Sequence, residues 1–253
     1  MKEKFLEAIE IFKRKTEKEC YRVDYVEKEA DILEDKIGGR PYLPVGEKYP
    51  ISKSGTPMGL LLQVNLKNID LKGYPKEGIL EIFMDSEFGW PLEYKIKVFK
   101  EGLEYQTTFP TIDYSNFPVE KTFAITCNKD ICHMPLSDYR FSDTFCEIVS
   151  EVCGVELESA FDCDDVFDFD WYELYANNTK NHSITIGGYA DFTQEDPRDG
   201  EIEDADECLF KLDSARDCGN FYVGDSGIIF VLISMENIVN GHLDKAVVDW
   251  DCC

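Results

Sequence analysis

The sequence predicts an α+β protein with more strand than helix, and three observations carry that prediction. Short runs of β-branched and aromatic residues succeed one another along most of the chain, separated by Gly and Pro. Amphipathic helical spacing is confined to a few segments. Several short motifs recur, in order, at an offset of 148 to 149 residues.

The N-terminal segment 2–18 places Phe5, Leu6, Ile9 and Phe12 on one stripe among Lys and Glu, the pattern of a surface helix that covers a core. The predicted strands are Tyr21 to Val26, Leu60 to Leu66, Ile79 to Met84, Tyr94 to Phe99, Thr122 to Thr126, Ser183 to Ile186, Cys208 to Leu212 and Ile228 to Ile233. Two further helices are expected. Asp143 to Val152 aligns Phe145, Ile148, Val149 and Val152, and Met235 to Asn240 stops at Gly241.

The recurring motifs define two related strand units, at about 37–83 and 186–232. Ile37-Gly38-Gly39 returns as Ile186-Gly187-Gly188, Leu61 to Asn65 as Leu209 to Asp213, and Gly78 to Phe83 as Gly227 to Leu232. The expectation is one compact, strand-rich domain over residues 1–253 containing an internal duplication with flanking helices. The first unit lies within about 30–100 and the second within about 180–253.

Composition narrows the class. A chain of 253 residues buries roughly 70 to 75% of its unfolded surface and needs no disulfide or metal to hold a core. No apolar run approaches the roughly 20 residues of a membrane helix, and the N-terminus lacks the apolar stretch and cleavage site of a secretory signal. A cytoplasmic location follows as the expectation. Ten cysteines are then thiols acting as small core hydrophobes.

Charge is distributed unevenly. The net charge is −25; residues 1–100 balance, so residues 101–253 hold the whole excess. Glu156 to Glu173 has eight acids and no base, and Glu195 to Glu207 has eight acids against Arg198 alone. Such a field repels a phosphate backbone, which argues against a nucleic-acid partner and for a basic protein. A purely solubilising surface produces the same composition.

Several motifs then resemble a known family. In the first half these are Gly38-Gly39-Arg40-Pro41-Tyr42-Leu43-Pro44, Met58 to Leu66 including Gln63, and Gly78 to Phe83. In the second they are Gly187 to Arg198, Leu209 to Ser214, Gly224-Asp225-Ser226-Gly227 and Trp250-Asp251-Cys252. In order and spacing, over roughly residues 30 to 252, they resemble the YwqG-like family, bacterial cytoplasmic proteins of unknown function. The resemblance implies a compact single α+β domain and makes Gly38, Gly39, Gln63, Gly187, Gly188, Gln194, Asp196, Pro197, Arg198, Gly224 and Asp225 structural motif positions. Because some members accompany bacterial toxin systems, it also implies an immunity role.

No catalytic constellation emerges. Gly224-Asp225-Ser226-Gly227 looks like a serine-nucleophile turn, but His133, His182 and His242 stand in no catalytic context, so a hairpin turn is expected instead. Asp162 to Glu173 puts acids at positions 1, 3, 9 and 12 of a calcium loop, yet Val166 and Phe167 occupy positions 5 and 6, where a ligand and a Gly belong. Cys127, Cys132 and His133 lack a second ligand pair, and no phosphate-binding Gly motif occurs. No cofactor or metal is expected. Asp196-Pro197-Arg198 reads as a locally ion-paired turn.

The functional expectation is therefore a non-enzymatic interaction protein whose acidic second half binds a basic protein, with immunity against a toxin as one form of it. The binding residues assigned are Asp164, Asp165, Asp168, Asp170, Trp171 and Tyr172, where acids alternate with large aromatics. A helix or strand with aromatics inside and acids outside is the competing reading of the same string. The alternative function is an enzyme or small-ligand binder with a pocket between the two units, near the two Gly-Gly turns.

Overall fold

In a computed structural model that describes residues 1–200, 202, 204–214 and 220–252, the chain is a strand-rich α+β protein built on one antiparallel sheet. In chain order the elements are α1 (Lys2–Thr16), β1 (Lys18–Glu27), β2 (Lys36–Ile37), β3 (Gly59–Asn65), β4 (Ile79–Met84), β5 (Tyr94–Phe99) and β6 (Phe123–Cys132). There follow α2 (Phe141–Cys153), α3 (Cys163–Val166), α4 (Trp171–Asn178), β7 (Ile184–Gly187), β8 (Glu207–Asp213), β9 (Ile228–Ile233), α5 (Met235–Val239) and β10 (Val247–Asp251).

The ten strands run in the order β10-β9-β8-β7-β1-β6-β2-β3-β4-β5, every neighbouring pair antiparallel. The sheet is nearly closed. Its two edge strands do not pair, but β5 lies against the 3₁₀ turn Leu243–Lys245 that leads into β10. In addition the Phe88 ring, from the β4–β5 connection, sits 4.7 Å from the ring of Trp250 on β10. Curling brings the inner faces of both halves into one core. Tyr21, Val23, Ile37, Leu62, Val64, Leu80 and Ile82 meet Ile184, Ile186, Phe210, Leu212, Ile229 and Val231 there.

Helices α1 to α4 cover the outer face beside β1 and β6, while α5 buries Ile238 in the inner core. In α1 the stripe Phe5, Ala8, Ile9, Phe12 and Thr16 is buried, with Glu3 in the first turn and Lys13, Arg14 and Lys15 in the last, each sign opposing its end of the helix dipole. In α2, Phe141, Phe145, Ile148 and Val149 pack against that stripe, and Gly154 at φ +70° closes the helix in the left-handed conformation. Phe12 meets Phe141 and Phe145 edge-on, which adds aromatic geometry to the area buried.

The two halves of the sheet share a register. In β3–β4, Gln63 faces Glu81, Val64 faces Leu80 and Asn65 faces Ile79, with a break between Leu60 and Leu62. In β8–β9, Lys211 faces Phe230, Leu212 faces Ile229 and Asp213 faces Ile228, with a break between Cys208 and Phe210. Each unit enters through a Gly pair with positive φ, Gly38-Gly39 and Gly187-Gly188.

Candidate functional site

The segment after β7 carries the densest polar structure. A Cβ on Gly188, at φ +80°, would fall 2.5 Å from Cys132 Sγ and 2.9 Å from Cys20 Cβ. Only glycine lets the chain leave β7 tight against β1 and β6. Beyond it, Asp191 accepts from Ser137 Oγ and Asn181 Nδ2, and Asn181 Oδ1 in turn accepts from the buried Lys211 ammonium at 2.6 Å.

Asp196 and Arg198 form the turn expected of them. The Arg198 Nε donates to Asp196 Oδ1 at 2.9 Å and its Nη2 to Asp196 Oδ2 at 2.6 Å. The Pro197 carbonyl accepts from Ile202 N–H. The same guanidinium reaches Asp138, which also holds Arg140 through Nε at 2.8 Å and Nη2 at 2.6 Å. Two acids and two bases thus form a neutral group in which Asp138, Asp196 and Arg198 are buried. Arg198 also lies 5.5 Å from the ring centres of Tyr139 and Phe192. Burial pushes the Asp138 carboxyl up, but its bond to Arg140 and the charges of Arg198 and Arg140 outweigh it, so Asp138 titrates below the usual carboxylate range. This group spans the start of α2 and the loop after β7.

Other motif positions make the following contacts. Gln194 donates Nε2 to the Cys252 carbonyl, and the Thr193 and Gln194 amides both donate to Asp251 Oδ2. Gly224, at φ +51° beside Asp225, sits where a Cβ would meet Trp250 and Cys252 at 2.8 Å. In the first unit Gln63 accepts from Tyr42 N–H and donates to the carbonyls of Ile32 and Glu34. Beside it, Lys36 is buried with its ammonium on the carbonyls of Asp31, Ile32 and Arg40, and burial pulls its pKa down to about 8. Glu81, facing Gln63 across the strands, is fully buried, and neither carboxylate oxygen has a hydrogen-bond partner among the described residues. Burial holds its pKa well above the ordinary value.

In the acidic stretch the carboxylates face out while Cys163, Phe167 and Trp171 are buried in the helical layer, so of the six assigned residues Trp171 is not part of the surface. Asp164, Asp165, Asp168 and Asp170 are all exposed, and Tyr172 is half exposed. Trp171 is only 2% exposed and packs with Phe145 in the helical layer, its indole N–H on Asp164 Oδ1 at 2.8 Å. Asp170 caps α4 by accepting from the Glu173 amide at 2.7 Å. The Asp165 and Asp168 side chains make no hydrogen bond or ion pair among the described residues. The aromatic that shares the surface with Tyr172 is Phe161, 65% exposed.

Phe161 and Tyr172 stand on the wall of a cleft of about 580 Å³ between α4 and the loop after β7, floored by His133, Ser137, Asp191 and Thr193. All its lining residues fall within 133–194, so neither Gly38-Gly39 nor any other part of the first unit contributes to it. His133 Nδ1 accepts from the Lys180 amide, and burial lowers its pKa. Reading the sequence missed this cleft and the Asp138–Arg140 half of the ion group. The second had a signal: Asp138-Tyr139-Arg140 has the same Asp-x-Arg spacing as Asp196-Pro197-Arg198.

The described cysteines Cys20, Cys127, Cys132, Cys146, Cys153, Cys163, Cys208 and Cys252 are all unpaired thiols, while Cys218 and Cys253 lie outside the described residues. Among the described residues no three His, Cys, Asp or Glu side chains are grouped to hold a metal ion, and no helix is long and apolar enough to cross a membrane.

A nearly closed antiparallel sheet with α1 to α4 on one flank, a buried Asp–Arg group and an exposed acidic stretch define a strand-rich α+β protein. The chain belongs to the family described as a domain of unknown function, DUF1963, which matches residues 35–252. No curated protein matches the sequence.

Proposed function

We propose that the protein is a non-enzymatic binder of a basic protein, acting in the cytoplasm, and that residues 156–173 are its contact face. One observation carries this reading: Asp164, Asp165, Asp168 and Asp170 are exposed together with Phe161 and Tyr172, so charge and aromatic surface lie on one stretch. Exposed rings ringed by acids are the composition of a hot spot with a charged rim, and a field of this sign accelerates encounter with a cation-rich surface. Neutralising a toxin is one use of such a face, consistent with the YwqG-like motif order.

The test uses Asp165→Asn with Asp168→Asn, which spares the cap at Asp170 and the indole partner at Asp164. Association with a basic protein isolated from the source cell is followed from low to high salt. The double variant should associate several-fold more slowly and with a flatter salt dependence while unfolding at the wild-type midpoint. Unchanged rates and salt dependence would reduce the acidic face to a solubility device.

We also infer that the two units descend from a duplication. Supporting it are the positive-φ Gly pairs and the strand registers of β3–β4 and β8–β9, which correspond at offsets of 148 to 149 down to the position of the break. Superposition of 37–83 on 186–232 should give one strand order and one hand.

A further inference from the structure

The cleft beside the acidic face has walls of one kind and a floor of another. On the wall, Phe161 and Tyr172 extend a run of rings through Trp171, with centres 6.5 Å and 6.1 Å from the indole. On the floor the charged groups are already matched: Asp191 accepts from Ser137 and Asn181, and Lys180 is paired with Asp130 at 2.8 Å. The Tyr175 hydroxyl donates to the Met134 carbonyl. An anionic ligand would find no uncommitted cation there. The cleft offers a visitor the rings of Phe161 and Tyr172, and the carboxylates lie outside its lining: Asp164 is on the Trp171 indole that both rings touch, and Asp165 and Asp168 are exposed on the stretch between Phe161 and Tyr172.

Of the two cationic side chains, the guanidinium fits this arrangement. It is planar and weakly hydrated, stacks on aromatic faces, and keeps five edge donors for carboxylates, whereas an ammonium is compact and holds its water. Resting on the acidic-face reading above, we propose that this cleft seats an arginine side chain of the basic partner. Its guanidinium stacks on Tyr172 and Phe161 and its edge turns to the carboxylates of the 164–170 stretch. The face then selects arginine-bearing segments and does not respond to positive charge alone.

Two peptides of equal length and charge, nona-arginine and nona-lysine, test this by calorimetric titration at 50 and 150 mM salt. Nona-arginine should bind about tenfold more tightly than nona-lysine. Phe161→Ala with Tyr172→Ala should remove that preference while leaving the unfolding midpoint and the salt dependence of nona-lysine unchanged; Tyr172→Phe should keep most of it. Asp165→Asn with Asp168→Asn should weaken both peptides, nona-arginine at least as much as nona-lysine. Equal affinities in the wild type, a preference that survives loss of both rings, or no binding of nona-arginine overturns the arginine seat. The acidic-face reading is judged separately, since it fails only if nona-lysine binding is absent or indifferent to salt and to the two Asn changes.

Discussion

Arg198 Nη2 lies 2.9 Å from Asp138 Oδ2 across 60 residues of sequence, and through that contact the loop after β7 is fastened to the start of α2. Both side chains are almost wholly buried, so neither charge has water to fall back on. Replacing Arg198 by Gln should destabilise the protein by about 3–5 kcal/mol, because Asp196 loses its partner and Asp138 keeps only Arg140. Urea unfolding of the two proteins at pH 7 measures it.

The same group sets a pH dependence. Asp138 titrates lower in the folded protein than in the unfolded chain. Its contribution is therefore complete above the unfolded value of about 3.9 and disappears as pH falls through the lower folded value. Stability should drop on acidification below about pH 4. In Arg198→Gln the drop should be shallower, as one of the two charges holding the carboxylate down is gone.

Glu81 gives the opposite sign. Its folded pKa is raised well above the ordinary one, so the folded state keeps a proton that the unfolded chain releases above about pH 4.3. The penalty is absent in acid and grows as pH rises. Glu81→Gln should match the wild type in stability near pH 4 and exceed it by about 1–3 kcal/mol at pH 8.

Two glycines with positive φ separate backbone strain from steric conflict. Gly46, at φ +95°, has open space where a Cβ would go, whereas Gly188 has Cys132 and Cys20. Gly46→Ala should cost about 1 kcal/mol for the strained backbone alone. Gly188→Ala should cost about 2–4 kcal/mol, since it also pushes into the β1–β6 pair. Equal denaturation midpoints for the two variants would mean the segment after β7 shifts to make room.

Thiol titration of the denatured, unreduced protein should return ten free groups. Bridges among Cys127, Cys132, Cys208 and Cys218 would contradict the cytoplasmic assignment.

Three strands have the predicted ends: Ile79–Met84 and Ile228–Ile233, buried on both faces and each preceded by Gly, and the edge strand Tyr94–Phe99, in which only Ile96 is buried. β6 was read only as far as Thr126. Its continuation through Asn128, Lys129 and Asp130 carries solvent-facing ion pairs, Lys129 with Glu19 and Asp130 with Lys180, and so has no apolar signature. α4 escaped because Trp171 to Asn178 begins on aromatics and ends on two Asn, leaving the Asp170 cap as its one local cue. At the site, local sequence revealed the Asp196–Arg198 turn. The partner from Asp138 and the cleft depend on how α4 meets the loop after β7, which no local spacing encodes.

The first strand to leave the ribosome ends up in the middle of the sheet, with β6 on one side and β7 on the other. The matched family segment starts at residue 35, after β1 has finished. A fragment cut to that boundary would lose the strand that joins the four-strand section β10-β9-β8-β7 to the five-strand section β6-β2-β3-β4-β5, leaving β6 and β7 with bare edges open to pairing between molecules. Residues 1–34 are thus part of the folding unit, and a boundary drawn for expression belongs upstream of α1. During synthesis β1 cannot pair with β7 until Gly187 has emerged, so that edge of β1 stays bare through most of translation.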